Sequence, residues 1–440
     1  MPVNFMADLS KYRSAIEKNH IKRLGRVSQV VGLTIESVGP DVNIGKTCLI
    51  KPNKYSAGVL SEVVGFKNNL IQLMPLGDMG GIGPGSIVEA QERPVSIRVS
   101  EKLLGRVLDG LGQPMDGKGP IDGGEEHYVT NPPPNPLFRN RITKPLPMGI
   151  KAIDGLLTIG KGQRIGIFAG SGVGKSTLMG MVARNTRADI NVVALVGERG
   201  REVREFLEKD LGDEGIRRSI VVIATSDKPA LVRLKAAEVA TSIAEYFRDK
   251  GKDVMLLMDS LTRYAMAQRD VGLAIGEPPV SRGYTPSMFS VMPKLLERAG
   301  NSDKGSITGL YTVLVEGDDL TEPVTDTARS ILDGHIVLAR KIANRNHYPA
   351  IDVLASISRV MTDIIADDHK ALSNEIKKNM AIYADAEDLI NIGAYVKGSS
   401  EAIDISISKH EAINNFLVQR IDEKVSFGDV VSEMNSIVNG

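Results

Sequence analysis

The stretch "RIGIFAGSGVGKSTLMGMVAR", residues 164–184, constrains this chain more than any other. An apolar run of strand length enters a glycine-rich turn, and a helical pattern leaves it. That order brings loop N–H groups and the positive end of a helix to one point, which makes a cradle for anions. Gly170, Gly172 and Gly174 let successive N–H groups turn toward phosphate oxygens, with Ser171 and Val173 between them. Lys175 is expected to reach the β- and γ-phosphates of a nucleotide. The Ser176 hydroxyl is expected to ligate Mg²⁺, and Thr177 completes the binding loop. The usual first glycine of the pattern is here Ala169, a change that matters only if the backbone there needs a positive φ. A second Gly-Lys-Thr, in "NIGKT" (Asn43–Thr47), lacks the setting. Pro40 stands where the first glycine belongs, inside a β-rich region, so the stretch reads as a turn.

The alternation continues downstream. "NVVALV", "SIVVIAT", "DVMLLMD", "SITGLYTVLV" and "HIVLA" read as buried strands, and Ser176–Arg184 and Pro229–Lys250 as helices. Such alternation predicts an α/β fold on a parallel sheet, with ligands at the carboxyl ends of the strands. Two acids fall at such ends. Asp259 closes "DVMLLMD" and is the expected acid of a Mg²⁺ shell, while Glu198 directly follows another strand. Gly197 before it allows close approach, and the carboxylate can polarise an attacking water.

Residues 1–24 read as an N-terminal arm. From Gly25 to Pro94, runs such as "VGLTIES", "TCLI", "AGVLSEVVGF" and "NLIQLMPL" alternate with Gly, Pro and Asn turns, which predicts a small β-barrel. A connecting segment, "GRVLDGLGQPMDGKGP", and the proline-rich "NPPPNPLFRNR" open the α/β region of residues 95–365. From 366 to 440 the texture turns helical, as in "DHKALSNEIKKNMAIY" and "KHEAINNFLVQRIDEKV". Lys+Arg and Asp+Glu number 54 each, so no overall field attracts nucleic acid or anionic lipid. A single cysteine, Cys48, allows no internal disulfide and suits a reducing cytosol. No secretory leader and no run of about 18 apolar residues is found, which predicts a soluble intracellular chain.

The motifs "AGSGVGKST", "VGERGREVREF", "MDSLTRYAMAQRD", "GYTPSMF", "EGDDLTEP" and "YPAIDVLASISR" occur in the order found in the catalytic subunits of rotary ATPases. Over roughly Gly25–Arg359 the chain resembles that superfamily. "AIDGLLTIGKGQRIGIFAGSGVGKST" and "EPVTDTARSILDGHIVLAR" look most like its type III secretion ATPases, the flagellar export branch in particular. In that branch alanine at the loop's first position is usual. The resemblance implies a RecA-like P-loop ATPase core between the barrel and the helical region. It implies ATP as substrate with Mg²⁺, and Glu198 as the water-activating carboxylate. Arg199 would support the γ-phosphate side, and Tyr348 matches the aromatic that stacks on adenine. Arg359, in "SISRV", matches an arginine finger that one subunit inserts into its neighbour's site.

The partners so implied are a homohexamer, a stator or regulator at the N-terminus and a central stalk protein. Export-gate membrane proteins and chaperone–substrate complexes complete the set, with only peripheral association at the cytoplasmic face of the inner membrane. A silent regulatory subunit would carry glutamine at Glu198. A rotary synthase β subunit would carry an acidic "DELSEED" lever, absent here. A Rho-like RNA translocase would need stacking aromatics, and residues 21–94 hold only Tyr55 and Phe66. A virulence injectisome ATPase shares the same motor chemistry; "PLGDMGGIGPGSIV" leans to the flagellar branch.

Overall fold

Six short strands close into a barrel because their apolar residues alternate and every edge finds a partner. They are β1 (Leu24–Val31), β2 (Thr34–Val38), β3 (Thr47–Lys51), β4 (Val59–Lys67), β5 (Leu70–Pro75) and β6 (Ile87–Ala90). The order around the barrel is β1-β2-β5-β4-β3-β6, with β6 pairing back onto β1. Val27, Ile35, Cys48, Ile50, Val63, Ile71, Leu73 and Val88 fill it. Burial pushes the Cys48 thiol up to about 11, so it stays protonated and inert at neutral pH. The run "VGLTIES" is divided: Val31 pairs with Thr34 across a two-residue turn in which Gly32 takes φ 57°. "NIGKT" is a turn, as expected, with the Lys46 N–H donating to the Asn43 carbonyl at 3.2 Å.

This computed structural model describes residues 22–440 apart from 54, 92, 316–318 and 320, so most of the expected N-terminal arm lies outside the described residues. The chain divides into two compact units, the barrel unit ending at Val95 and a larger one spanning Ser96–Gly440. In the larger unit β7 (Ser96–Val99) and β9 (Glu125–Tyr128) form an antiparallel ribbon. The main sheet contains β8 (Val107–Asp109), β10 (Arg164–Ala169), β11 (Ile190–Val196), β12 (Ser219–Ala224), β13 (Asp253–Asp259), β14 (Gly300–Asn301), β15 (Ser306–Leu314), β16 (Gly334–Leu338) and β17 (Ile351–Ser358). Its order is β17-β16-β10-β15-β13-β11-β12-β8, with β14 beside β15. All neighbours run parallel except β17 on β16 and β14 on β15. Strands β11 and β12 are buried at every residue, as expected of parallel strands covered on both faces.

Two segments differ from the sequence reading. The "GRVLDGLGQPMDGKGP" segment is more than a connector, since β8 within it extends the sheet by pairing with β12. The helical run expected through "KHEAINNFLVQRIDEKV" stops at Leu417, and Val418 is extended. Helices Asp367–Asn391, Glu401–Leu417 and Phe427–Asn439 pack onto the short helix Lys151–Leu156. Gly155 permits this contact: a Cβ there would lie 2.8 Å from Met434 Sδ and 3.1 Å from Phe416 Cζ. Among the described residues no helix is long and apolar enough to cross a membrane.

Candidate active site

The carboxyl ends of β10, β11, β13 and β15 converge on one cleft. Strand β10 ends at Ala169, which is extended and buried, so its methyl costs the loop nothing. The chain then turns through Gly170–Gly174 into the helix Lys175–Asn185. Positive φ is needed at Gly172 (77°) and at Gly174 (88°), the residue that caps the helix. Among the described residues, no N–H of 171–174 donates to another protein group, which leaves a run of donors around the helix N-terminus. Ala169, Gly170, Ser171, Gly172, Gly174, Lys175, Ser176 and Thr177 line a cleft of about 730 Å³. Val173 instead turns into the core and anchors the loop.

At the floor of the cleft, Lys175 Nζ donates to Asp259 Oδ1 at 2.5 Å, and the Thr312 hydroxyl donates to the same oxygen at 2.7 Å. Neighbouring strands thus fix the carboxylate from two sides: Asp259 ends β13 and Thr312 lies in β15. Glu198 follows β11, and its buried Oε1 lies 3.9 Å from Lys175 Nζ with no hydrogen-bond partner among the described residues. Burial and the nearby Asp259 charge push its carboxyl up to about 7, against the pull of Lys175. A carboxylate poised near neutrality and aimed into a phosphate-sized cleft suits a proton acceptor for water. Gly197 takes φ 73° and lies against the stem of Arg263, where a Cβ would be 2.9 Å from Arg263 Cβ. Arg263 and Glu198 both line the cleft wall.

The remaining residues singled out from sequence are placed differently. Arg199 lies at the rim, largely exposed, 3.5 Å from Glu202. The Tyr348 ring covers Gly174, its Cδ1 3.5 Å from where a side chain on that glycine would begin. Arg359 stands just after β17, exposed, and donates to the Arg329 carbonyl at 3.3 Å. It does not line the cleft of its own chain. Sequence reasoning passed over Arg263, Asp210, Arg340 and Thr312. Arg340 donates to the Ser171 carbonyl at 3.4 Å, and Asp210 lines the same cleft from a π-helical turn, Phe206–Leu211. Of these, only Arg263 carried a signal, four residues after Asp259 in "MDSLTRYAMAQRD".

The donor set also fits Mg²⁺. Ser176 in the loop and Asp259 at the end of β13 are hard oxygen donors. Among the described residues no cluster of three acids, histidines or cysteines forms an all-protein cage. Mg²⁺ is ordinarily held by one or two carboxylates together with water and substrate phosphates.

Comparison with known proteins agrees with this geometry. The nucleotide-binding domain of the ATP synthase alpha/beta family matches residues 149–358, and the C-terminal domain of the type III secretion ATPase EscN matches residues 365–436. The chain is 55% identical to a flagellum-specific ATP synthase of Bacillus subtilis over 417 residues, covering 94% of this chain and 95% of that protein. It is 47% identical to a type 3 secretion system ATPase of Xanthomonas euvesicatoria, covering 95% of each. Among solved structures, the assembled ATPase EscN of enteropathogenic E. coli superposes with a TM-score of 0.89 at 46% identity, over 94% of this chain and all of that one. The same ATPase in complex with its central stalk EscO gives 0.87. The chain belongs to the ATP synthase alpha/beta family, within its branch of flagellar and type III secretion ATPases.

Proposed function

We propose that this chain is the ATP-hydrolysing motor subunit of a flagellar type III export apparatus. The observation that carries the chemistry is the Lys175–Asp259–Glu198 cluster beneath a loop of unclaimed N–H donors. The loop and Lys175 bind the triphosphate, and Tyr348 holds the adenine against Gly174. Glu198 orients a water and takes its proton at Oε1 as the water oxygen bonds to the γ-phosphorus. The bond to the β-phosphate oxygen breaks, leaving ADP and phosphate. Ser176 directly, and Asp259 through water, would hold Mg²⁺, which when bound supplies charge neutralisation at the β- and γ-oxygens. Arg199 at the rim supports the γ-phosphate side.

Arg359 acts in trans, in a homohexamer, a reading its exposed position outside its own cleft supports. The assembled state of EscN supports that reading, and the EscN–EscO complex supports a central stalk partner here. A stator at the N-terminus, a membrane export gate and chaperone–substrate complexes complete the partner set. ATP turnover releases the chaperones at the cytoplasmic face of the inner membrane. Flagellum-specific relatives are 46–55% identical and secretion-system ones 44–47%, and the 55% match supports the flagellar branch.

Two measurements test this. ATPase activity per subunit is expected to rise steeply with protein concentration, and equal specific activity in dilute and assembled protein would refute the role in trans. A deletion strain is expected to lose motility and filament secretion, and intact motility would refute the flagellar assignment.

A further inference from the structure

The connector after the second C-terminal helix is bonded to two segments, each of which packs against one end of the phosphate-loop helix. At the N-terminal end, Tyr348 covers Gly174. At the C-terminal end, Gly149 sits so close to Asn185 that a Cβ there would lie 2.5 Å from Asn185 Cβ. One residue of the connector is bonded to both places. The backbone N–H of Gln419 donates to the Tyr348 carbonyl at 3.0 Å. Its Nε2 donates to the Gly149 carbonyl at 2.9 Å, and its Oε1 accepts from the Lys151 N–H at 2.9 Å. A further bond from Nε2 to the Glu423 carbonyl, 3.2 Å, folds the connector onto itself.

Gln419 is 3% exposed, so these groups have no water to fall back on. Outlying contacts hold the connector and the helix after it in line. Arg184, in the phosphate-loop helix, donates to the Ile421 carbonyl at 2.9 Å, and Lys151 Nζ pairs with Glu423 at 3.0 Å and Glu433 at 3.3 Å. The turn at 148–149 is itself fixed by Asp154, whose carboxylate accepts the Met148 and Gly149 N–H groups at 2.8 Å each. Gln419 therefore links the Tyr348 carbonyl, held by its backbone N–H, to a rigid buried turn, held by its side chain.

We propose that Gln419 is a positioning residue that sets the nucleotide-base side of the cleft by holding Tyr348 over Gly174. The proposal rests on the reading of Tyr348 as the adenine platform. Removing the amide strips the buried Gly149 carbonyl and the part-buried Lys151 N–H of their partner and frees the connector to shift. The Tyr348 ring then loses its fixed height above the loop. The phosphate cradle, built from 170–177 and held by β10, does not depend on Gln419.

The test compares a ligand with a base and one without, in the full-length assembled enzyme. Gln419→Ala is expected to raise the KM for ATP about 5-fold while lowering kcat less. The inhibition constant of inorganic tripolyphosphate, which fills the loop with no base, should stay within about 2-fold. Should Gln419→Ala fail to fold, Gln419→Met keeps the chain length and the backbone N–H to Tyr348 and carries the same comparison. Tyr348→Ala in parallel separates the two readings. If it leaves the ATP KM unchanged, the platform reading fails and takes the proposal with it. If it raises KM but the Gln419 variants do not, or weaken ATP and tripolyphosphate alike, Gln419 is only structural and the proposal is overturned.

Discussion

Asn43–Thr47 and Gly170–Thr177 contain nearly the same letters, a glycine, a lysine and a hydroxyl residue in a row, yet they make opposite structures. In the barrel turn the N–H groups of Gly45, Lys46 and Thr47 are spent. The Gly45 N–H reaches the Val63 carbonyl at 2.9 Å, and that of Thr47 reaches the Arg93 carbonyl at 3.0 Å. The Thr47 hydroxyl is spent as well, on the same Arg93 carbonyl at 2.9 Å. In the larger unit the donors of 171–174 stay unclaimed among the described residues, and a helix begins directly behind them. A phosphate loop is thus defined less by its glycines than by what its N–H groups are left free to do. A turn inside a closed barrel has strand neighbours that claim them.

The largest expected contrast comes from the two lysines. Lys175→Ala should abolish ATP hydrolysis, because it removes the cation at the floor of the cleft, whereas Lys46→Ala should leave steady-state rates unchanged. A comparable loss in both would break the distinction. Arg359→Ala is expected to lower kcat on the order of 10³-fold while sparing ATP binding. Mixing it with Lys175→Ala subunits should restore part of the rate, since each supplies what the other's site lacks, and no recovery would argue against a role in trans.

Glu198→Gln should cost about 10²–10⁴ in kcat with ATP affinity retained, measured by equilibrium binding. The unsubstituted enzyme adds a pH signature. Only the deprotonated carboxylate accepts a proton, and its ionisation is pushed up to about 7. The rate should therefore climb with pH and reach half its plateau near neutrality, and a flat profile from pH 6 to 8 would remove Glu198 from that role. The smallest effect sharpens the comparison of loops. Gly45 and Gly174 take φ 80° and 88°, and a Cβ meets nothing closer than 3.5 Å at either. Both alanine variants should lose about 1–2 kcal/mol of stability by denaturant titration. Only Gly174→Ala should also raise the KM for ATP.

What was legible in the chain and what was not divides along local against long-range order. Strands β10, β11, β12, β13, β15 and β16 were readable because each is a short apolar run bounded by turn residues. Two of the helices between them, Lys175–Asn185 and Ala230–Asp249, were readable through periodicity, while Leu261–Ile275, Pro286–Leu296 and Pro323–Ile331 were not read as helices. Strand β8 was hidden in a glycine-rich stretch, for three residues are too few for a pattern, and only its pairing with β12 makes it a strand. The run "VGLTIES" concealed a turn because hydrophobicity carries across it, while Gly32 alone marks the reversal. Past Leu417 the residues are still acceptable in a helix; the helix ends where Gln419 finds better partners in main-chain groups of residues 149 and 151.

In the candidate site the same division holds. The loop, Lys175, Ser176, Glu198 and Asp259 were marked by position after strands. Thr312 looked like one more buried strand residue, and its bond to Asp259 exists only because β13 and β15 are neighbours in the sheet. Arg340 and Asp210 reach the cleft from segments far along the chain.

The order of residues alone determined that a strand, a glycine turn and a helix would follow one another, and with them a phosphate cradle, because those choices depend on φ, ψ and periodicity within about twenty residues. Which carboxylate stands under Lys175, what holds Asp259 in place and what keeps Tyr348 above Gly174 were decided by strand order and by the packing of the terminal helices. Contacts between residues far apart in sequence leave no local trace in the chain, since their energy appears only when the sheet and helices assemble.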